Sequence, residues 1–328
     1  MTSAHTIVSG MRPTGPLHLG HYFGVLKNWT ALQEKHQCYF FVADWHALTS
    51  EYASPHSIQP FVLELVIDWI SGGLDPSKCT FFQQSAIREH AELNLILSMI
   101  TPLGWLERNP TYKEVKQELM AKDLNTFGFL GYPVLMSADI LMYQATMVPV
   151  GQDQLPHLEL CREIARRFNG LYGDFFPEPQ SQLTQAPKTP GLDGRKMSKS
   201  YGNSIFLKES PAELKTKIMS MLTDTARQRL KDPGSPENCN LYPYLQLLNP
   251  ESDFPDIREG CTRAERGCVE CKKLLLEQMD AFLEPMRRIR RDLEAHPDTV
   301  RDILKQGTDQ AREQAALNME QIRSMLSF

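Results

Sequence analysis

Hydrophobic and polar positions along the chain fall into two textures. Up to about residue 190, short apolar runs of β character alternate with helical periodicities. Ile7-Val8 closes a first short strand before Gly10. Cys38-Tyr39-Phe40-Phe41-Val42-Ala43 forms a second and Cys79-Thr80-Phe81-Phe82-Gln83 a third, each rich in branched or aromatic side chains. Between them, Ile58, Phe61, Val62, Leu65, Val66 and Trp69 recur at helical spacing from Ser57 to Ile70. Gly72-Gly73 ends that helix, and Asp75-Pro76 turns the chain back. Strand, helix, strand in this order implies parallel pairing through a right-handed crossover. Continuous apolar runs are what strands buried on both faces need. The pattern predicts an α/β fold, a Rossmann-type doubly wound parallel sheet.

After about residue 200 the β-like runs largely stop. Pro211 to Leu222 reads as a helix with Leu214, Ile218, Met221 and Leu222 on one side. Residues 268–294 and 298–326 read as two longer helices, the first interrupted near Pro285 and the pair separated by Pro297. The stretch from Lys231 to Gly267, with five prolines, reads as loop. The expected organisation is a Rossmann-type domain over 1–195 and a mainly helical domain over 196–328.

Composition narrows the class. The 328 residues carry 35 Lys and Arg against 40 Asp and Glu, a net charge of −5, with 41% hydrophobic and 23% charged residues. That is globular composition, which excludes a mostly disordered chain and a general nucleic-acid coat. Any nucleic-acid contact must come from local clusters such as the arginines of 287–291 and of 263–266. No apolar run approaches the roughly 18 residues of a membrane span. The start of the chain lacks the basic and apolar regions of a signal peptide. A cytoplasmic location with no membrane partner is expected.

Two segments carry candidate phosphate chemistry. Gly10-Met11-Arg12-Pro13-Thr14-Gly15-Pro16-Leu17-His18-Leu19-Gly20-His21 follows the first strand and opens a helix. A helix start beyond a strand end offers free N–H groups to phosphate. Gly20 permits close ligand approach, and His18 and His21 share one side of the turn. Alone, this could be a glycine-rich loop with two solvated histidines. Gly191-Leu192-Asp193-Gly194-Arg195-Lys196-Met197-Ser198-Lys199-Ser200 gathers three cations and two hydroxyls within six residues. It suits a mobile clamp on a polyphosphate, or a basic surface loop.

Together the two segments resemble the HIGH and KMSKS signatures of class I aminoacyl-tRNA synthetases, with a full match at Lys196-Met197-Ser198-Lys199-Ser200. Within that class the chain resembles bacterial tryptophanyl-tRNA synthetases over almost its whole length. Asp44-Trp45-His46-Ala47, Gly131-Tyr132-Pro133-Val134-Leu135-Met136-Ser137-Ala138-Asp139-Ile140-Leu141 and Val148-Pro149-Val150-Gly151-Gln152-Asp153-Gln154 carry the resemblance. It implies a tryptophan–tRNA ligase of the AMP-forming type, acting on L-tryptophan, Mg-ATP and tRNA(Trp), and a homodimer. The helical domain would then bind the anticodon.

From chemistry alone, Tyr132 to Leu141 reads as a strand end or turn entering a helix. An aromatic, a thioether and one carboxylate there suit a flat, partly polar ring. A carboxylate accepts equally from an indole N–H and a phenol O–H, so tryptophan and tyrosine are not separated at this point. The resemblance implies that Asp139 accepts the indole N–H. It also implies that Tyr132 and Gln154 hold the α-amino group, and that Met136, Val148 and Val150 line the ring pocket. For ATP it implies Arg12, Pro13, Thr14, Gly20, His21, Gly151, Gln152, Asp153, Leu192, Lys196, Met197, Ser198, Lys199 and Ser200. His18, His21, Lys196 and Lys199 would act on the phosphates, with Mg²⁺ as a further cation and no protein nucleophile. Arg12 departs from the glutamine of many members, and Lys113 is a further phosphate candidate.

Of seven cysteines, Cys38, Cys79 and Cys161 sit in apolar contexts and read as core thiols. Cys239, Cys261, Cys268 and Cys271 form a Cys-X21-Cys-X6-Cys-X2-Cys cluster. In a cytosolic chain this favours a metal over disulfides, and four thiolates suit Zn²⁺ or an iron–sulfur cluster equally. The resemblance leans toward a 4Fe–4S cluster, since some bacterial members hold one with a nearly identical pattern whose first gap is one residue longer. Two rival readings stand beside the ligase. One is a tyrosine-specific enzyme. The other is a non-catalytic paralogue that binds nucleic acid or senses iron through the cysteines.

Overall fold

The computed structural model describes residues 4–110, 124–183, 189–249 and 254–327. Lys113 lies outside the described residues. Five strands, β1 (Thr6–Met11), β2 (Gln37–Val42), β3 (Cys79–Gln83), β4 (Met147–Val150) and β5 (Gln180–Leu183), form one sheet in the order β3-β2-β1-β4-β5. Every pairing is parallel, with Ile7 opposite Cys38 and Met147, and Cys38 opposite Cys79. This is the doubly wound order read from the strand–helix–strand pattern. Alternate residues serve opposite faces: Ile7, Phe40 and Phe81 enter one core, and Val8, Phe41 and Phe82 the other.

The crossovers are helical. α1 spans 19–32 and includes a π-type stretch, Tyr22–Leu26. α2 (Asp44–Glu51), α3 (Pro60–Ser71), α4 (Glu89–Ile100), α5 (Leu103–Glu107), α6 (Phe127–Met142) and α7 (Leu155–Tyr172) follow. The expected turn at Tyr132 is instead the middle of α6, which carries Pro133 inside it. Tyr132, Met136 and Asp139 therefore project from one helix face.

The helical part contains α8 (Pro211–Ser220), α9 (Leu241–Leu248), α10 (Phe254–Thr262), α11 (Cys268–Ala295) and α12 (Pro297–Met325). Two helices thus occupy the stretch expected as loop. α11 also runs unbroken through Pro285, contrary to expectation. Both Pro285 and Ala281, whose carbonyl loses its helical donor, are exposed, so water can satisfy that carbonyl.

The C-terminal helices pack on the sheet domain. α11 lies against α3, and α12 lies along β3, the edge strand. Thr308 Oγ1 accepts the Gln83 N–H at 3.2 Å, and Asn318 donates to the Met142 carbonyl at 2.7 Å. Gly307 sits where any Cβ would strike the Phe81 carbonyl. α12 thereby covers an edge that would otherwise present unpaired backbone. Among the described residues no helix is long and apolar enough to cross a membrane.

Candidate active site

Strand order reverses between β1 and β4, and the segments leaving their C-terminal ends flank the crevice where doubly wound sheets bind ligands. From β1 comes 12–21; from β4 comes 151–154.

Leu17 to Leu19 are held in extended pairing with 205–207: Leu19 N–H donates to Ile205 O and Leu207 N–H to Leu17 O, each at 2.9 Å. The first signature segment is therefore joined by backbone to the stretch that follows the second. A second tie is Lys199, whose Nζ donates to Gly15 O at 2.8 Å, with Gly15 at φ +119°. His18 and His21 stack with centroids 3.7 Å apart. A Cβ at Gly20 would come within 2.9 Å of the His18 ring, so this glycine makes room for that imidazole.

Both histidines are neutral near pH 7. Burial, assisted by Lys199, lowers His18 to about 4. Burial, with His18 and Lys199, holds His21 well below its ordinary value. The His18 backbone N–H donates to His21 Nδ1 at 3.3 Å. A neutral ring accepting at Nδ1 carries its proton on Nε2, so His21 can give a hydrogen bond from there. Among the described residues the buried His18 Nδ1 has no hydrogen-bond partner.

The second segment is organised by Asn203, which sequence reasoning passed over. Its Oδ1 accepts the Ser198 N–H at 2.8 Å, and its Nδ2 donates to Asp193 Oδ1 at 2.7 Å and Lys196 O at 3.2 Å. Gly191 leaves the room that Asn203 occupies. Met197 is buried in the core, which anchors the loop between its two lysines. Lys199 is lowered to about 8 by burial, against the opposing fields of Asp68 and Glu64. Lys196 is exposed, and Leu192 carbonyl receives Asn240 Nδ2 at 3.2 Å.

Arg12 reaches Ser50 Oγ and lies in the fields of Glu51 and Tyr132, between the phosphate segments and the α6 pocket. Tyr132 hydroxyl meets His157 Nε2 at 2.8 Å, and His157 Nδ1 meets Asn109 at 3.1 Å. Burial lowers His157 to about 4. Val148 and Val150 are buried, while Met136 is half-buried. Gln152 and Asp153 are exposed, and Gln154 Nε2 donates to Asp153 Oδ2 at 2.9 Å. A Cβ at Gly151 would meet Asp153 Oδ1 at 2.5 Å.

Asp139 is fully buried and saturated. Gln84 Nε2 donates to both its oxygens at 2.8 and 2.9 Å, His90 Nδ1 to Oδ1 at 2.6 Å and His46 Nε2 to Oδ2 at 2.7 Å. Burial, the largest single influence, pushes this carboxyl up, but the hydrogen bonds and fields of His46 and His90 together outweigh it and leave it lowered. His90 Nε2 in turn accepts from Tyr143 at 2.8 Å. His46 is the one ring partner with any exposure, its side chain 13% accessible. Gln84 and His90 were not legible as pocket residues.

A cavity of about 670 Å³ opens beside Thr6, Gln37 and Tyr143, at the opposite ends of the strands, and is not this site. Arg287 and Arg290, expected as surface contacts for nucleic acid, are only 5% and 4% exposed and are spent on acids. Arg287 pairs with Asp280 and Glu284, and Arg290 with Glu64, Asp68 and Glu294. Arg288, Arg291 and Arg263 remain exposed.

Cys268 and Cys271 share the first turn of α11, Cys261 lies in α10, and Cys239 precedes α9. The four thiols lie in one another's fields. Cys239 sulfur receives the backbone N–H groups of Leu241 and Tyr242. Gly234 forms a cradle for Cys261, since a Cβ there would come 2.6 Å from its sulfur. Among the described residues no three potential ligands close to metal-holding geometry.

Comparison with known proteins agrees with this arrangement. Residues 2–284 match the family model for class I tRNA synthetases of tryptophan and tyrosine. The tryptophan–tRNA ligase of Thermotoga maritima is 52% identical over 324 residues, covering 98% of this chain and 99% of that protein. That of Aquifex aeolicus is 44% identical over 392 residues, covering 98% and 99%. The crystal structure of the Campylobacter jejuni tryptophanyl-tRNA synthetase, complexed with ADP and tryptophan, superposes with a TM-score of 0.90 at 34% identity, covering 98% and 100%. The chain belongs to the class I aminoacyl-tRNA synthetases, in their bacterial tryptophanyl branch.

Proposed function

We propose that the chain is a tryptophan–tRNA ligase. A carboxylate oxygen of L-tryptophan attacks the α-phosphorus of Mg-ATP, and the bond to the bridging oxygen breaks, releasing pyrophosphate. A hydroxyl of the 3′-terminal ribose of tRNA(Trp) then attacks the activated carbonyl, and AMP leaves. The observation that carries this reading is the joining of the two signature segments at the crevice beside the Asp139 pocket. The C. jejuni enzyme, crystallised with ADP and tryptophan, has the same fold.

No protein nucleophile is needed. The work is positioning and charge stabilisation. His21 gives its Nε2–H to phosphate, His18 packs behind it, and Lys199 and Lys196 meet the charge that grows on pyrophosphate. Leu192, Met197, Ser198 and Ser200 shape that clamp. Arg12, Pro13, Thr14, Gly20 and Gly151 to Asp153 hold the rest of the nucleotide. Mg²⁺ arrives on the triphosphate and supplies further positive charge. Tyr132 and Gln154 receive the α-amino group, and Met136, Val148 and Val150 flank the ring. The indole N–H takes the place of His46 on Asp139 Oδ2.

The assignment extends to the remaining chain. Residues 1–195 form the catalytic domain and 196–328 the domain that reads tRNA, with Arg288, Arg291 and Arg263 as backbone contacts. Exposed Leu95, Met99, Leu103 and Phe127 form the apolar surface for a second copy, giving a homodimer. Cys239, Cys261, Cys268 and Cys271 hold a 4Fe–4S cluster, for which the Gly234 cradle and the N–H groups at Cys239 are suited. A resident cluster would fix α9, α10 and α11 to one another.

Charging of tRNA(Trp) with labelled tryptophan tests the function, and failure of folded protein to charge it would reject the ligase. Iron and acid-labile sulfide in anaerobically purified protein test the cluster. One equivalent of zinc with no iron would replace it.

A further inference from the structure

Asp68 on α3 is fully buried and divides its carboxylate between two distant parts of the chain. Oδ2 accepts the backbone N–H of Leu17 at 2.7 Å, immediately before His18. Oδ1 accepts from Arg290 on α11 at 2.5 Å, across 222 positions of sequence. The same guanidinium donates to Glu64 at 2.7 Å through its other terminal nitrogen and to Glu294 at 2.7 Å through Nε. Glu64 is shared with Lys208, at 2.9 Å, which follows the 205–207 pairing segment.

Arg290 is thus a hub. One of its acids ends on the first phosphate segment and another on the stretch after the second. Both acids also set the field at Lys199. A guanidinium offers a rigid fork, so it fixes the plane of the Asp68 carboxylate and with it the aim of Oδ2. Removing the fork leaves a buried carboxylate without its cation, which costs far more than a surface pair.

We propose that Arg290 is a positioning residue for ATP: through Asp68 it sets the turn at 17–21, and through Glu64 and Lys208 it sets the segment after Lys199. It touches no substrate. Helix α11 thereby takes part in amino-acid activation. The inference rests on reading these two segments as the nucleotide site.

The test is ATP–pyrophosphate exchange by the full-length protein, with thermal unfolding run on each variant. Arg290→Met should raise KM for ATP roughly tenfold, the size of an ordinary site-to-site coupling. KM for tryptophan should stay near its wild-type value. Arg290→Lys keeps the charge without the fork and should recover part of the loss. Asp68→Asn should reproduce the ATP-specific defect. Glu277→Gln, at an exposed position on the same helix, should change nothing. If Arg290→Met does not fold, Arg290→Lys and Asp68→Asn decide. Folded variants with wild-type KM for ATP, or with equal losses toward ATP and tryptophan, would overturn the proposal. Absence of exchange in the wild type would instead remove the nucleotide reading on which it stands.

Discussion

Lys199 Nζ donates to the carbonyl of Gly15 across 2.8 Å, tying together segments 184 positions apart. The tie spends one of three ammonium donors on the backbone and leaves two for phosphate. Burial lowers Lys199 to about 8, so without nucleotide the ammonium is lost as pH rises through that value. The free enzyme's kcat/KM for ATP should therefore fall above pH 8. Lys199→Arg, always protonated, should remove that alkaline limb while lowering the plateau. A pH profile of pyrophosphate exchange checks both.

His157 titrates near 4 in the folded chain, against an ordinary imidazole value of 6.5 once the chain unfolds. The folded state then binds fewer protons than the unfolded one between these values. Stability should fall as pH drops from 6.5 toward 4, by on the order of 3 kcal/mol for this group. His18, also lowered to about 4, acts in the same direction. Urea titrations across that range should show the slope, and His157→Gln should make it shallower, leaving the part due to His18.

Asp139 carries the ring specificity in the proposed function. Asp139→Asn should raise KM for tryptophan roughly tenfold to a hundredfold, the cost of a hydrogen bond to a charged group. KM for ATP should move little. A benzothiophene analogue lacking the ring N–H should be a poor substrate for the wild type. Asp139→Ala should lose that discrimination. Parallel exchange assays with both amino acids read the effect.

Gly307 gives a test of opposite sign to helix propensity. Within a helix, glycine to alanine is ordinarily stabilising by about 1 kcal/mol. Here the methyl group would strike the Phe81 carbonyl, so Gly307→Ala should destabilise by about 1–3 kcal/mol through overpacking. The midpoint of urea unfolding measures it.

What was legible in the sequence had local periodicity or a compact motif. β2 and β3 could be read from their branched and aromatic runs, and Lys196 to Ser200 from its charge and hydroxyl pattern. Pairings between remote positions left no local signal. Leu17 to Leu19 pairs with 205–207 through backbone groups that any residue could supply. Gln84 and His90 reach Asp139 from separate elements. Arg287 and Arg290 read as part of a basic cluster for nucleic acid because the acids that pair with Arg290 on α3 lie more than 200 positions away in sequence. Packing against α3 places Arg290 on Glu64 and Asp68, and Arg287 is buried over Asp280 and Glu284 of its own helix. Pro285 suggested a break because a sequence does not show that Ala281 and Pro285 face water.

In the proposed function this crevice activates tryptophan with ATP. The most direct measurement is amino-acid-dependent ATP–pyrophosphate exchange on anaerobically purified protein, with tryptophan, tyrosine and phenylalanine side by side. Exchange with tryptophan alone is the predicted result. Exchange driven by tyrosine, or none from folded protein with any of the three, would contradict it.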